Sequence, residues 1–167
     1  MLTIIMALAK VNGKYLFGDT SGKLPWGRIK EDMDLFVDLT SRKGVYLCSE
    51  STYKTLPKSV IKRLKPVIAE TLNREWVDNE TNYVILGGRK LIDSALPRAD
   101  HIIISEIGGI IEEKDSFVYL KDSTVAKLAS AERETTCWYF STPAFDPTKV
   151  HLKQAYCLTR DRYKTSK

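Results

Sequence analysis

No apolar run in this sequence approaches the roughly 18 residues of a membrane-spanning helix, so no membrane anchor is expected. There are only two histidines, His101 and His151, each at or inside an apolar strand-like segment, where a structural role is expected of both. Together with Cys48, Cys137 and Cys157 they are too scattered for a zinc site, and no metal is expected. An odd cysteine count without a framework of pairs suits buried thiols in a reducing compartment, so a cytoplasmic location is expected. Neither a P-loop nor a Gly-x-Ser-x-Gly elbow is present. The apolar start "MLTIIMALA" has no basic segment before it, which argues against a signal peptide. Repeats and low-complexity linkers are missing too, so residues 1–167 are expected to form a single domain.

What is present reads as a globular chain of alternating strands and helices, with 43% hydrophobic and 28% charged residues. The net charge of +5 suits an anionic small ligand. No aromatic interleaving or nucleic-acid motif accompanies it, so nucleic acid is not an expected partner. "LTIIMALA", "GVYLC", "KPVIAE", "NYVIL" and "ADHIIISEI" are short β-branched runs, expected as buried strands. "KVNGKYLFGDTSGK" reads as a long irregular loop. Helices are expected from Gly27 to about Ser41, in "STYKTL" with Ser51 or Thr52 as cap, and behind the glycines of "GGRKLIDSAL". "TTCWYFS" and "VHLKQAYCLT" suggest an antiparallel pair closing the sheet. The expected class is α/β, a mostly parallel central sheet flanked by helices.

One stretch carries chemistry. In "LPWGRIKEDMDLF" three acids enter the first helix, and at about 100° per residue they part company. Glu31, Asp34 and Asp38 fall on the polar face. Asp32 falls inside the apolar arc of Ile29, Met33, Leu35, Phe36, Val37 and Leu39, between Phe36 and Leu39. A carboxylate aimed at a core needs a partner. Pattern alone leaves two open, a neighbouring loop or a polar group on a ligand.

The spacing of Trp26, Asp32, Phe36 and Thr40 behind "LP" resembles dihydrofolate reductase. So do the first strand "LTIIMALA", the loop "FGDTSGKLPW" and the run "VILGGRKLIDSALPRADHIIISEI". The resemblance covers residues 1–107 in order; beyond them only "DSF" and "AYCL" echo the family. It implies the dihydrofolate-reductase-like fold and a monomer that reduces dihydrofolate with NADPH. Asp32 matches the family's ionisable site residue, a carboxylate that accepts two hydrogen bonds from the pterin. By the same resemblance Trp26 holds a water, and Ser105 stands where a Thr bonds the catalytic acid. Ile5, Met6, Met33, Phe36 and Leu56 line the substrate site, and Arg63 clamps the glutamate tail. The cofactor set is Ala7, Phe17, Gly18, Ser51, Thr52, Leu86, Gly87, Gly88, Arg89, Lys90, Leu91 and Ile92, with the Gly87–Gly88 bond cis.

The chain departs from the family on the cofactor side. Ser49-Glu50 replaces the usual Gly-Arg, and Glu70, followed by Thr71, stands at a position usually Ser or Thr. Two carboxylates at a ribose suggest NADH in place of NADPH. Two other readings are open: another pterin or pyrimidine reductase on the same fold, such as that of riboflavin synthesis, and a non-catalytic folate-binding or assembly protein.

Overall fold

The computed structural model describes residues 1–21, 23–72, 78, 80–131, 134–140 and 148–159, with residues 130, 131 and 134–140 in backbone only. In chain order the elements are β1 (Leu2–Val11), β2 (Lys14–Asp19), α1 (Lys30–Leu39), β3 (Val45–Cys48), α2 (Glu50–Thr55), α3 (Lys58–Leu64) and β4 (Val67–Ile68). They continue with β5 (Tyr83–Ile85), α4 (Arg89–Ala95), a 3-10 turn (Leu96–Arg98), β6 (His101–Gly108), β7 (Phe117–Tyr119), α5 (Asp122–Ala131), β8 (Glu134–Phe140) and β9 (His151–Thr159).

Nine strands form one mixed sheet flanked by helices. Its centre, in the order β4-β3-β5-β1-β6, is parallel, and β9 and β8 extend it antiparallel beyond β6. The closing antiparallel pair at the C-terminal end is therefore present. The sheet is more evenly mixed than expected, because β2 and β7 add two further antiparallel pairings.

The expected loop after β1 is instead a hairpin. Asn12 and Gly13 both have positive φ, 50° and 78°, the backbone that a two-residue type I′ turn requires, and they fold β2 back on β1. The strand in "KPVIAE" shrinks to two residues, and Val67 and Ile68 are half exposed at the sheet's edge rather than buried. Helix α1 starts at Lys30, three residues later than Gly27, with extended Ile29 as its N-cap. The cap of α2 is Ser49, whose Oγ accepts from the Thr52 N–H at 3.2 Å, not Ser51 or Thr52. Cys48 and Cys157 are buried free thiols, as expected; the Cys137 side chain lies outside the described residues.

Alternation along β1 divides the core. Leu2, Ile4, Met6 and Leu8 face one way, onto Leu91, Ile92 and Ala95 of α4 and Leu128 of α5. Ile5 faces the other way, with Ile103 of β6 and with Phe36 and Leu39 of α1. Ala9 and Val11 follow on that side, with Trp26 and Ile29. A strand buried on both faces reads as a continuous apolar run, which is why "LTIIMALA" announces itself. Leu91 and Ile92 are fully buried, so their side chains belong to the core and only their backbone is open to a ligand. Leu91→Ala is expected to lower the unfolding free energy by about 2–5 kcal/mol. Lys90→Ala, next to it but exposed, should stay within about 0.5 kcal/mol. Urea unfolding of the two variants checks the assignment.

Candidate active site

Helix α1 sorts its acids as the wheel expects. Glu31, Asp34 and Asp38 are exposed, and Asp32 is half-buried on the side that meets the sheet. Opposite it, Ser105 is buried on β6, in register with Ala7 of β1 on one side and Ala155 of β9 on the other. Those small neighbours leave the Ser105 hydroxyl facing the carboxyl. Burial holds Asp32 above its ordinary pKa, and the nearby Ser105 hydroxyl offsets part of that rise.

Two apolar clusters lie between α1 and the sheet on this side. Trp26 is buried beside Ile29, with Ala7 and Leu35 packed against the same cluster. Its indole Nε1–H is buried and has no acceptor among the described residues, a donor available to a bound group. Ile5 and Phe36 share one cluster on the α1 face. Met33 is half-buried, and its Sδ lies 3.1 Å from the Arg28 Nε that donates to it. Leu56 is half-buried at the C-cap of α2. Met6 is different: its side chain points to the opposite face, into the α4 core, so only its backbone borders this site.

Arg63, on α3, reaches back to the end of α1. Its two terminal nitrogens donate to the Thr40 carbonyl at 2.8 Å and the Thr40 hydroxyl at 3.0 Å. Thr40 is buried and in turn donates from Oγ1 to the Phe36 carbonyl at 2.7 Å. One edge of the guanidinium is thus fixed, and its remaining N–H groups stay available for a bidentate anion. Thr40 belongs to the spacing pattern of the sequence, but its role as the anchor of Arg63 needed the fold.

The C-terminal ends of the parallel strands are where such sheets usually take a ligand. On one edge of β1, β5 pairs with Leu2–Ile4 and β2 with Ala9–Val11. Among the described residues Ile5–Leu8 have no strand partner on that edge. Gly87–Gly88, just past β5, borders the gap, and the bond between them is cis, as the resemblance implies. The Gly87 carbonyl accepts from the Ser49 N–H at 2.7 Å. A Cβ on Gly87 would lie 3.2 Å from Thr52 Oγ1 and 4.0 Å from Phe17 Cζ, and one on Gly88 would lie 3.0 Å from Ser49 Oγ. Ser49 Oγ is also within 3.1 Å of Ser51 Oγ and donates to Thr52 Oγ1 at 3.0 Å. The backbone of two glycines, Gly87 buried and Gly88 half-buried, thus packs against three clustered hydroxyls, the donors of this region that could hold the pyrophosphate of a dinucleotide.

The remaining expected cofactor residues scatter around this region. Leu86 donates its N–H to the Leu47 carbonyl at 2.8 Å, and Gly18 has open space where a Cβ would stand. Arg89 donates to the Tyr119 carbonyl at 3.2 Å, and Lys90 is exposed. Glu50, Glu70 and Thr71 are exposed at the far end, beyond β3 and β4. Ser49 and Lys54 also belong here. The capping position of Ser49 before a short helix was a usable signal, whereas the Lys54–Glu50 pair at 3.6 Å is visible only once α2 is placed.

Comparison with family models and with curated proteins finds no match. The functional reading therefore rests on residues and geometry.

The raised pKa of Asp32 has a consequence for stability. A folded state that holds this proton more tightly than the unfolded chain is favoured at low pH, and that advantage is lost as pH rises through the folded-state pKa. Ionised Asp32 thus destabilises the fold at neutral pH. Asp32→Asn is expected to be more stable than wild type at pH ~7, with the difference vanishing below the ordinary aspartate value of ~3.9. Urea unfolding at the two pH values measures it; a variant that is less stable at neutral pH contradicts the assignment.

Proposed function

We propose that this chain reduces 7,8-dihydrofolate to tetrahydrofolate with hydride from a nicotinamide dinucleotide. The observation that supports this best is Asp32, a half-buried carboxylate with a raised pKa and Ser105 as its polar neighbour, on the helix whose Phe36 packs against Ile5 and whose Leu35 packs against the cluster of Trp26. Among the described residues Ile5–Leu8 of β1 have no strand partner on the β5 side, and Gly87–Gly88 follow β5 closely.

When bound, a reduced nicotinamide supplies the hydride. The protein's own residues do the rest. The Asp32 carboxylate accepts hydrogen bonds from the 2-amino group and adjacent ring nitrogen of the pterin, which fixes the ring's orientation. Its negative charge in a desolvated setting favours the protonated ring that accepts hydride. The Trp26 Nε1–H holds a water at the same site, a route for the proton to a nitrogen that the carboxylate does not reach. Phe36 and Ile5 enclose the flat ring system, and Arg63 receives the carboxylate of the glutamate tail. Ser49, Thr52 and the backbone of Gly87–Gly88 hold the pyrophosphate.

The test is nicotinamide oxidation by the purified chain, followed by absorbance. Turnover is expected with dihydrofolate, and no dihydrofolate-dependent rate would refute the reading. At neutral pH Asp32→Asn should lose at least about a hundredfold, the scale of removing a positioned proton-transfer group. Glu31→Gln, one residue away but exposed, should stay within about twofold of wild type.

Arg63→Ala is expected to weaken dihydrofolate binding by about 1.5–3 kcal/mol, the worth of hydrogen bonds to a charged group. A pterin without the glutamate tail should bind the variant as it binds wild type. Equal losses for the two ligands would assign Arg63 to the α1–α3 junction alone. Paired fluorescence titrations read both.

A further inference from the structure

We infer that the adenosine end of the strand-end site takes a ribose with free hydroxyls and disfavours one carrying a 2′-phosphate, so that the chain binds NADH ahead of NADPH. This preference rests on the dinucleotide reading above and concerns residues at the other end of the site from Asp32. The sheet order β1-β5-β3-β4 sets the direction. With the nicotinamide at the free edge of β1 and the pyrophosphate at Gly87–Gly88 after β5, the adenosine extends over the ends of β3 and β4.

Those two ends are in register. Cys48 of β3 pairs with Ile68 of β4, and the Ala69 N–H donates to the Cys48 carbonyl at 2.9 Å. Glu50 and Glu70 each stand two residues beyond the paired positions, which brings them side by side. A Glu70 carboxylate oxygen accepts the Glu50 N–H at 3.0 Å, so a carboxylate already occupies the first amide of α2. Burial pushes the Cys48 thiol up, and the Glu70 charge adds to that rise, so the field of Glu70 reaches the strand end.

The nearby cations do not restore a phosphate site. Lys54 lies 3.6 Å from Glu50, but both side chains are well exposed, and such a pair is weak and screened. Arg89 is bound to the Tyr119 carbonyl, and Lys90 follows β5 and not β3 or β4. Among the described residues, two carboxylates and one ammonium leave a net negative charge where a 2′-phosphate would bring nearly two more. Ribose hydroxyls, by contrast, donate to carboxylates, which is how an acid at a strand end selects the unphosphorylated dinucleotide.

The experiment titrates the full-length chain with NADH and with NADPH separately, following quenching of tryptophan emission at low salt. NADH is expected to bind on the order of tenfold tighter, and added salt should narrow the gap as it screens the carboxylates. Glu50→Arg combined with Glu70→Ser should reverse the order. Glu50→Gln, a near-isosteric change at an exposed site, should shift the ratio the same way by a smaller step. Tighter NADPH binding by wild type, or a ratio unmoved by these substitutions, overturns the preference while leaving the dihydrofolate reading intact. Binding of neither dinucleotide overturns both.

Discussion

A single ionisable group set against a sheet organises this molecule's proposed chemistry. Asp32 is half-buried on α1, and the cost of a carboxylate there is offset only in part by the Ser105 hydroxyl near it. Ser105 can be opposite it only because β6 lies beside β1 in parallel register, with Ala7 and Ala155 as its small neighbours. Burial that disfavours the ionised carboxylate also strengthens its interaction with any cationic or hydrogen-donating ring brought to it. The site is therefore strained electrostatically for the same reason that it is useful, a common tension between stability and activity.

Much of this was legible in the sequence because it followed from strong periodicity. The double-faced burial of β1 appears as an unbroken apolar run, and the polar face of α1 separates Glu31, Asp34 and Asp38 from Asp32 by angle alone. Where local signals compete, the sequence misleads. Asn12-Gly13 is both loop-like composition and the preferred hairpin turn, and only pairing with β1 decides between them. "KPVIAE" has the composition of a buried strand, yet its two paired residues sit on an exposed edge. Burial there depends on what covers the sheet, which no local pattern encodes. For α2, Ser51 and Thr52 were the expected caps, and the close approach of Gly87–Gly88 accompanies the choice of Ser49 instead.

Contacts between distant segments were the least legible. Thr40 holding Arg63 joins residues 23 apart in sequence, and the Glu50–Glu70 contact joins residues 20 apart. Met6 shows the converse: it neighbours the site in sequence, but the two-residue period of a strand sends its side chain to the other core. Each of these depends on sheet order, and sheet order separates the two regions of the site. In the proposed reading substrate orientation belongs to α1, β1 and β6, while dinucleotide recognition belongs to the ends of β5, β3 and β4. On that reading, changes at Glu50 and Glu70 alter the choice of hydride donor without disturbing Asp32.

The central claim is that Asp32 acts through its charge and not merely as a spacer. The most direct measurement is kcat/KM for dihydrofolate as a function of pH in wild type and Asp32→Asn. If the carboxylate favours the protonated pterin, the variant's deficit shrinks steadily as pH falls and solvent protonates the substrate instead. A deficit that stays constant across the whole range would contradict the account and leave Asp32 a purely positional residue.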